Sequence, residues 1–110
     1  MIITSKFKLI NYSKDLVRGS ILRCKGVMPY EDLVDFMLIE TPNKQNLSYS
    51  LLVSTGYKAG LIYTKLPIDS IPKENKGYAV SLQWLIDNWS KWGYFDCLLD
   101  DVYILEGYQL

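Results

Sequence analysis

Ser81-Leu-Gln-Trp84-Leu-Ile-Asp-Asn-Trp89-Ser-Lys-Trp92-Gly93 decides how the chain is built. Leu82, Leu85, Ile86 and Trp89 recur at i, i+3, i+4 and i+7, the spacing of one helix face. Ser81 has the side chain of an N-cap, and Gly93 stands where a C′ glycine ends a helix. Trp92 continues the apolar stripe along one edge, so Trp89 and Trp92 are expected in the core. At about 100° per residue Trp84 falls off that stripe. Either a neighbouring loop or strand covers it, or it belongs to a contact patch, where tryptophan is enriched.

Around this helix the pattern changes to period two. Phe7 and Leu9 alternate with Lys6, Lys8 and Ile10, which predicts an early strand. Val17–Lys25 reads as a second strand, with Gly19 near its start and Gly26 ending it. Pro29-Tyr-Glu-Asp32 reads as a turn or short helical start. Asp32–Glu40 fits either a helix or a buried strand, and a strand over Val34–Glu40 is favoured because Thr41-Pro42-Asn43 stops it soon after. Tyr49, Leu51 and Val53 alternate with Ser48, Ser50, Leu52 and Ser54, and Leu61–Leu66 follows after Thr55-Gly-Tyr-Lys-Ala-Gly60. That is a β-hairpin whose connection needs glycine at positive φ. Residues 67–76 form a loop punctuated by Pro67, Pro72 and Gly77, and Asp101–Glu106 is a short final strand. Strands, then a helix, then a strand predict an α+β fold. The expected form is a mainly antiparallel, strongly twisted sheet of about five to six strands on one principal helix, about 81–92.

Composition narrows the chemistry. Apolar residues are 49% of the 110 and aromatic residues 14%, enough for a packed core. There is no histidine. This removes Ser-His-Asp and Cys-His catalysis and the commonest metal ligand. Cys24 and Cys97 stand 73 positions apart, make no zinc site, and read as two free thiols of a cytoplasmic protein. No catalytic residue, metal ligand or cofactor loop is assigned: Gly56–Gly60 lacks the phosphate-loop spacing and opens no helix. No apolar run is long enough for a membrane span, and Met1–Lys8 lacks the pattern of a secretory signal.

Charge is balanced overall but not along the chain. Residues 1–26 carry six basic residues against Asp15 alone, whereas residues 27–110 carry six basic and eleven acidic residues. No Lys or Arg follows Lys91, so Asp96, Asp100, Asp101 and Glu106 stand without interleaved cations. They are either solvated surface or a negative patch for a basic partner. Glu31, Asp32 and Asp35 form a second acidic group. If residues 31–35 made one helical turn, Glu31 and Asp35 would share a face, and a carboxylate pair of that kind serves glycosidase-like hydrolysis. Tyr57 and Lys58 are expected at an exposed hairpin tip. The basic Lys6–Lys25 segment, with Phe7, Tyr12 and Tyr30, is a candidate for phosphate backbones, but no RRM, KH or helix-turn-helix signature accompanies it.

Several segments together resemble a known family. They are Arg18–Gly26, Pro29–Glu40, Gly56–Leu61, and Trp84–Trp92 with the Asp101-Val-Tyr-Ile104 ending. The chain resembles immunity proteins of bacterial polymorphic-toxin systems, including those of contact-dependent growth inhibition, and is most similar to the immunity protein forty-five family. The resemblance covers nearly the whole chain, so residues 1–110 are expected to form a single immunity-like domain. It implies a cytoplasmic, non-enzymatic protein, monomeric or weakly dimeric, that binds and neutralises the C-terminal domain of a cognate toxin. A nuclease toxin with a basic active site would be occluded by an acidic, aromatic surface, with no direct contact to nucleic acid or membrane. The alternative is a generic adaptor or regulatory protein-binding module without a toxin partner. The family supplies no contact residues. From the residues alone, the partner-binding set is Trp84, Asp96, Asp100, Asp101, Glu106, Glu31, Asp32, Asp35, Tyr57 and Lys58.

Overall fold

Period-two segments build a six-stranded antiparallel sheet in a computed structural model of the chain, which describes residues 7–41, 48–72, 79–94 and 96–108. The strands are β1 (Phe7–Lys8), β2 (Ile21–Lys25), β3 (Leu33–Glu40), β4 (Tyr49–Val53), β5 (Ile62–Lys65) and β6 (Tyr103–Leu105), in the order β1-β6-β2-β3-β4-β5. The last strand therefore enters between the first two and holds the N-terminal strand to the sheet. Lys6, Pro42, Asn43, residues 73–76 and Gly77, which the sequence reading used, lie outside the described residues.

Alternation divides the sheet into two faces. Leu22 lies opposite Phe36 and Ile104, Cys24 opposite Val34, Phe36 opposite Val53, and Leu38 opposite Leu51. These side chains are buried and form one cluster with Leu85, Trp89, Tyr94 and Cys97 from the layer above. Cys24 and Cys97 are free thiols, as expected, and they meet in this core. Burial pushes the Cys24 thiol well above its ordinary value, and the neighbouring Cys97 adds to the shift.

The layer above is two short helices, α1 (Leu82–Asp87) and α2 (Trp89–Trp92), rather than one. Ser81 caps α1 as expected, its side chain accepting from the Trp84 N–H at 3.2 Å. Asn88 makes the break. Its backbone sits at φ −116°, ψ 14°, and its side-chain amide donates to the Trp84 carbonyl at 2.8 Å, in competition with the regular ladder. Trp89 is the anchor, 3% exposed, with its indole N–H donating to the Cys97 carbonyl at 2.8 Å.

Three further expectations change. The second strand starts at Ile21, not Val17, because Gly19 turns the chain: the Ser20 N–H returns to the Val17 carbonyl, and the Gly19 N–H donates to the Leu38 carbonyl. Trp92 is only partly buried and packs beside Trp84, ring centroids 6.3 Å apart, so the two share one rim of the core. Gly93 does not adopt the left-handed C′ conformation. Its φ is −91°, and its role is clearance, since a Cβ there would lie 2.2 Å from the Trp89 ring. The hairpin reading holds, with Gly56 at φ 78° in the β4–β5 connection.

Gly93→Ala is therefore expected to destabilise the fold by steric overlap with Trp89, not by backbone strain. Overpacking of this kind costs about 1–3 kcal/mol. The check is the denaturant midpoint; an unshifted midpoint would remove the clearance role.

Candidate functional site

Antiparallel pairing sends four connections to one end of the sheet. They are the turn after β1 (Leu9–Asn11), the β2–β3 connection (26–32), the β4–β5 connection (54–61) and the approach to β6 (Leu99–Asp101). Two of these are locked together. The Glu31 carboxylate accepts from the Tyr57 N–H at 3.2 Å, the Tyr57 hydroxyl donates to the Pro29 carbonyl, and the Lys58 ammonium lies 5.9 Å from the centroid of the Tyr30 ring. Gly56 permits the contact, since a Cβ there would overlap the Glu31 carboxylate at 2.1 Å.

Beneath the loops, four rings hold the end in place. Tyr30, Phe36, Tyr63 and Tyr94 pack mutually with centroids 5.0–6.5 Å apart. The Tyr94 hydroxyl accepts from the Val27 N–H at 3.1 Å, which ties the β2–β3 connection to the segment leaving α2. Burial pushes the Tyr63 and Tyr94 hydroxyls up, and nearby Asp96 is among the smaller causes. Asp96 is therefore near enough to the cluster for its charge to be felt there. Asp101 lines a cleft with Arg23, Lys25, Leu33 and Tyr103.

The structure thus brings seven of the residues singled out from sequence to one end: Glu31, Asp32, Tyr57, Lys58, Asp96, Asp100 and Asp101. It separates the other three. Trp84 is half-buried against Trp92 on the helical layer. Glu106 lies at the other end of β6, where it accepts from the Tyr12 hydroxyl at 2.8 Å and pairs with Lys14 at 3.5 Å. Asp35 is 1% exposed, on the second sheet face, with its backbone bonded to Ser54 and Thr55. Residues 33–40 form a strand, so no helical turn joins Glu31 to Asp35, and the two carboxylates take different partners.

Asp35 is the centre of its own network. Arg23 grips it with two parallel bonds, 2.8 and 3.0 Å, and the Tyr108 hydroxyl donates to it at 2.7 Å. Tyr108 also meets the Ser54 hydroxyl at 2.8 Å. The segment after β6 is thereby strapped over the sheet, and Ile21 and Leu105 on this face are buried. Together with Arg18–Glu40 at 3.0 Å, these pairs neutralise much of the basic N-terminal segment: Lys14, Arg18 and Arg23 each face a carboxylate. A basic stripe for phosphate backbones does not form from those three.

Seven of the described carboxylates therefore fall into two groups. Glu40 and Glu106 are ion-paired away from the loop end, and Asp35 is ion-paired on the second sheet face, two residues into β3 from that end. Asp32, Asp96, Asp100 and Asp101 are exposed, and among the described residues none of them is in an ion pair. Sequence reading missed the exposed apolar side chains beside them, because Val27, Met28, Leu33 and Leu61 carry no charge or motif to mark them. Among the described residues no three metal-ligating side chains gather, and no helix is long and apolar enough to cross a membrane.

Comparison with known proteins places this chain among the immunity proteins. It belongs to the family described as Immunity protein 45, whose model matches residues 9–104. No curated protein and no solved structure matches the chain.

Asp35→Ala is expected to cost roughly 1.5–3 kcal/mol, because it strips Arg23 and Tyr108 of their acceptor; chemical denaturation reads the loss directly. The network also sets an alkaline limit. Burial first, then the bond to Glu106, pushes Tyr12 up to about 12, and burial with Asp35 pushes Tyr108 up to about 12 against an ordinary 10.0. The folded state then keeps protons that the unfolded chain releases near 10, so this contribution is full below that pH and is lost as pH rises toward about 12. Thermal melts across that window should fall steeply for the wild type. Tyr12→Phe and Tyr108→Phe together should flatten the slope.

Proposed function

We propose that this immunity protein neutralises the C-terminal domain of a cognate toxin by binding it with the loop-bearing end of the sheet. The observation that carries the reading is the sorting of carboxylates. Asp35, Glu40 and Glu106 are matched to cations within the fold, whereas Asp32, Asp96, Asp100 and Asp101 gather exposed at or near this end with no ion pair among the described residues. Unmatched surface charge costs little for folding and is available to a partner of opposite sign, where it raises the encounter rate and fixes orientation.

A basic toxin surface, such as a nuclease active site, fits this complement. Covering it would exclude substrate without any chemistry by the immunity protein. The setting is a polymorphic-toxin or contact-dependent inhibition system, with the complex formed one to one in the cytoplasm. Membership of the immunity family favours this over a general adaptor.

Co-expression with the toxin domain encoded beside this gene tests the reading. The wild-type chain is expected to restore growth. Asp100→Lys with Asp101→Lys is expected to weaken the complex roughly tenfold or more and to reduce protection. Full toxicity in the presence of well-expressed wild-type protein would refute the proposal.

A further inference from the structure

The loop end carries more than charge. Met28 is 90% exposed and Tyr57 73%, and Val27, Leu33 and Leu61 are exposed around them. Met28 sits one residue before Pro29, whose carbonyl takes the Tyr57 hydroxyl, so the two side chains project from the locked pair of connections. Exposed apolar groups gathered on one rigid feature and rimmed by polar residues mark an interaction site.

We propose that Met28 and Tyr57, flanked by Val27, Leu33 and Leu61, are the apolar anchor of the complex. The occupant is a protein surface with an apolar pocket rimmed by Lys or Arg. The inference rests on the toxin-binding reading and adds where the affinity resides and what the partner must present.

Three observations carry it. The first is preorganisation. The Gly26 N–H donates to the Asp32 carbonyl and the Tyr30 N–H to the Val27 carbonyl, both at 2.8 Å, while Glu31, Tyr57 and Lys58 clamp the neighbouring connection. A knob already held in shape loses little entropy on docking. The second is residue type: tyrosine is typical of hot spots, and methionine adapts to irregular pockets. The third is the charge around the knob. Glu31, Asp32, Asp96, Asp100 and Asp101 stand at this end, and the cations there among the described residues are Lys8, Lys25, Lys58 and Arg23, the last paired with Asp35. That rim favours a cationic partner. It repels a second copy of the same end, and it repels nucleic acid.

The test is isothermal titration of the full chain against the toxin domain encoded by the adjacent gene. Met28→Asp and Tyr57→Ala are each expected to weaken binding roughly thirtyfold or more, the scale of a hot spot. Ile68→Asp alters another exposed apolar side chain beyond the opposite end of β5 and should leave affinity unchanged. Met28→Ala removes only the side chain beyond Cβ and gives the answer if the aspartate variant disturbs the loop. Raising salt should weaken the wild-type complex. Tight binding by wild type with unchanged Met28 and Tyr57 variants would overturn the anchor while leaving the toxin reading intact. A concentration-dependent dimer abolished by Met28→Asp would overturn it by naming a second copy as the occupant. No binding by the wild type would overturn both.

Discussion

Everything at the loop end depends on the mutual packing of Tyr30, Phe36, Tyr63 and Tyr94. Each ring comes from a different part of the chain: a connection, a central strand, the β5 edge strand and the segment leaving the helices. Edge-to-face pairs of this kind each contribute about 0.5–1.5 kcal/mol beyond their area, and the cluster contains several. Their joint effect is positional. Tyr30 pulls the β2–β3 connection down, and Tyr94 reaches Val27 through its hydroxyl. The surface above is therefore fixed by the core below, and not by the loops' own sequence preferences.

The two sheet faces use opposite means of closure. The face toward the helices is closed by apolar contact, with Trp89 seated through Gly93 and held by Cys97. Among the described residues no helical layer covers the other face. There Arg23, Asp35, Tyr108 and Ser54 form a satisfied polar network that draws the segment after β6 across the strands. A buried carboxylate is costly alone, so Asp35 needs both the Arg23 fork and the phenol. The same arrangement removes Arg23 from the surface inventory of basic groups, and Lys14 and Arg18 are matched in similar fashion. The basic segment is thus used largely inside the fold.

How far the sequence was legible follows from how local each signal is. Ser81, the hairpin glycines and the alternation in β4 act on their own neighbours, and the structure agrees with them. Gly93 and Trp92 were misread because both answer to a ring several residues away, not to helix geometry. Glu106 was grouped with Asp100 and Asp101 because they are close in sequence. A strand runs between them, and five residues of extended chain span roughly 16 Å, so the acidic tail is divided between the two ends of β6. Asp35 was grouped with Glu31 for the same reason. The pairing of Arg23 with Asp35 required the β2–β3 register, in which the two lie opposite each other.

The division of the carboxylates also explains why a single end suits recognition. A carboxylate matched within the fold is already compensated, and a partner would have to displace Arg18, Arg23 or Lys14 to use it. The cost of displacement is largest at Asp35, where the pair is desolvated. Asp32, Asp96, Asp100 and Asp101 carry no such cost, since water is their present partner. Binding there exchanges hydration for a cation of the partner, and the adjoining apolar side chains exclude water from the contact and strengthen it. Charge alone would give a fast, weak and salt-sensitive encounter. Apolar area alone would give adhesion without orientation. Their coincidence on connections held by the aromatic cluster supplies both.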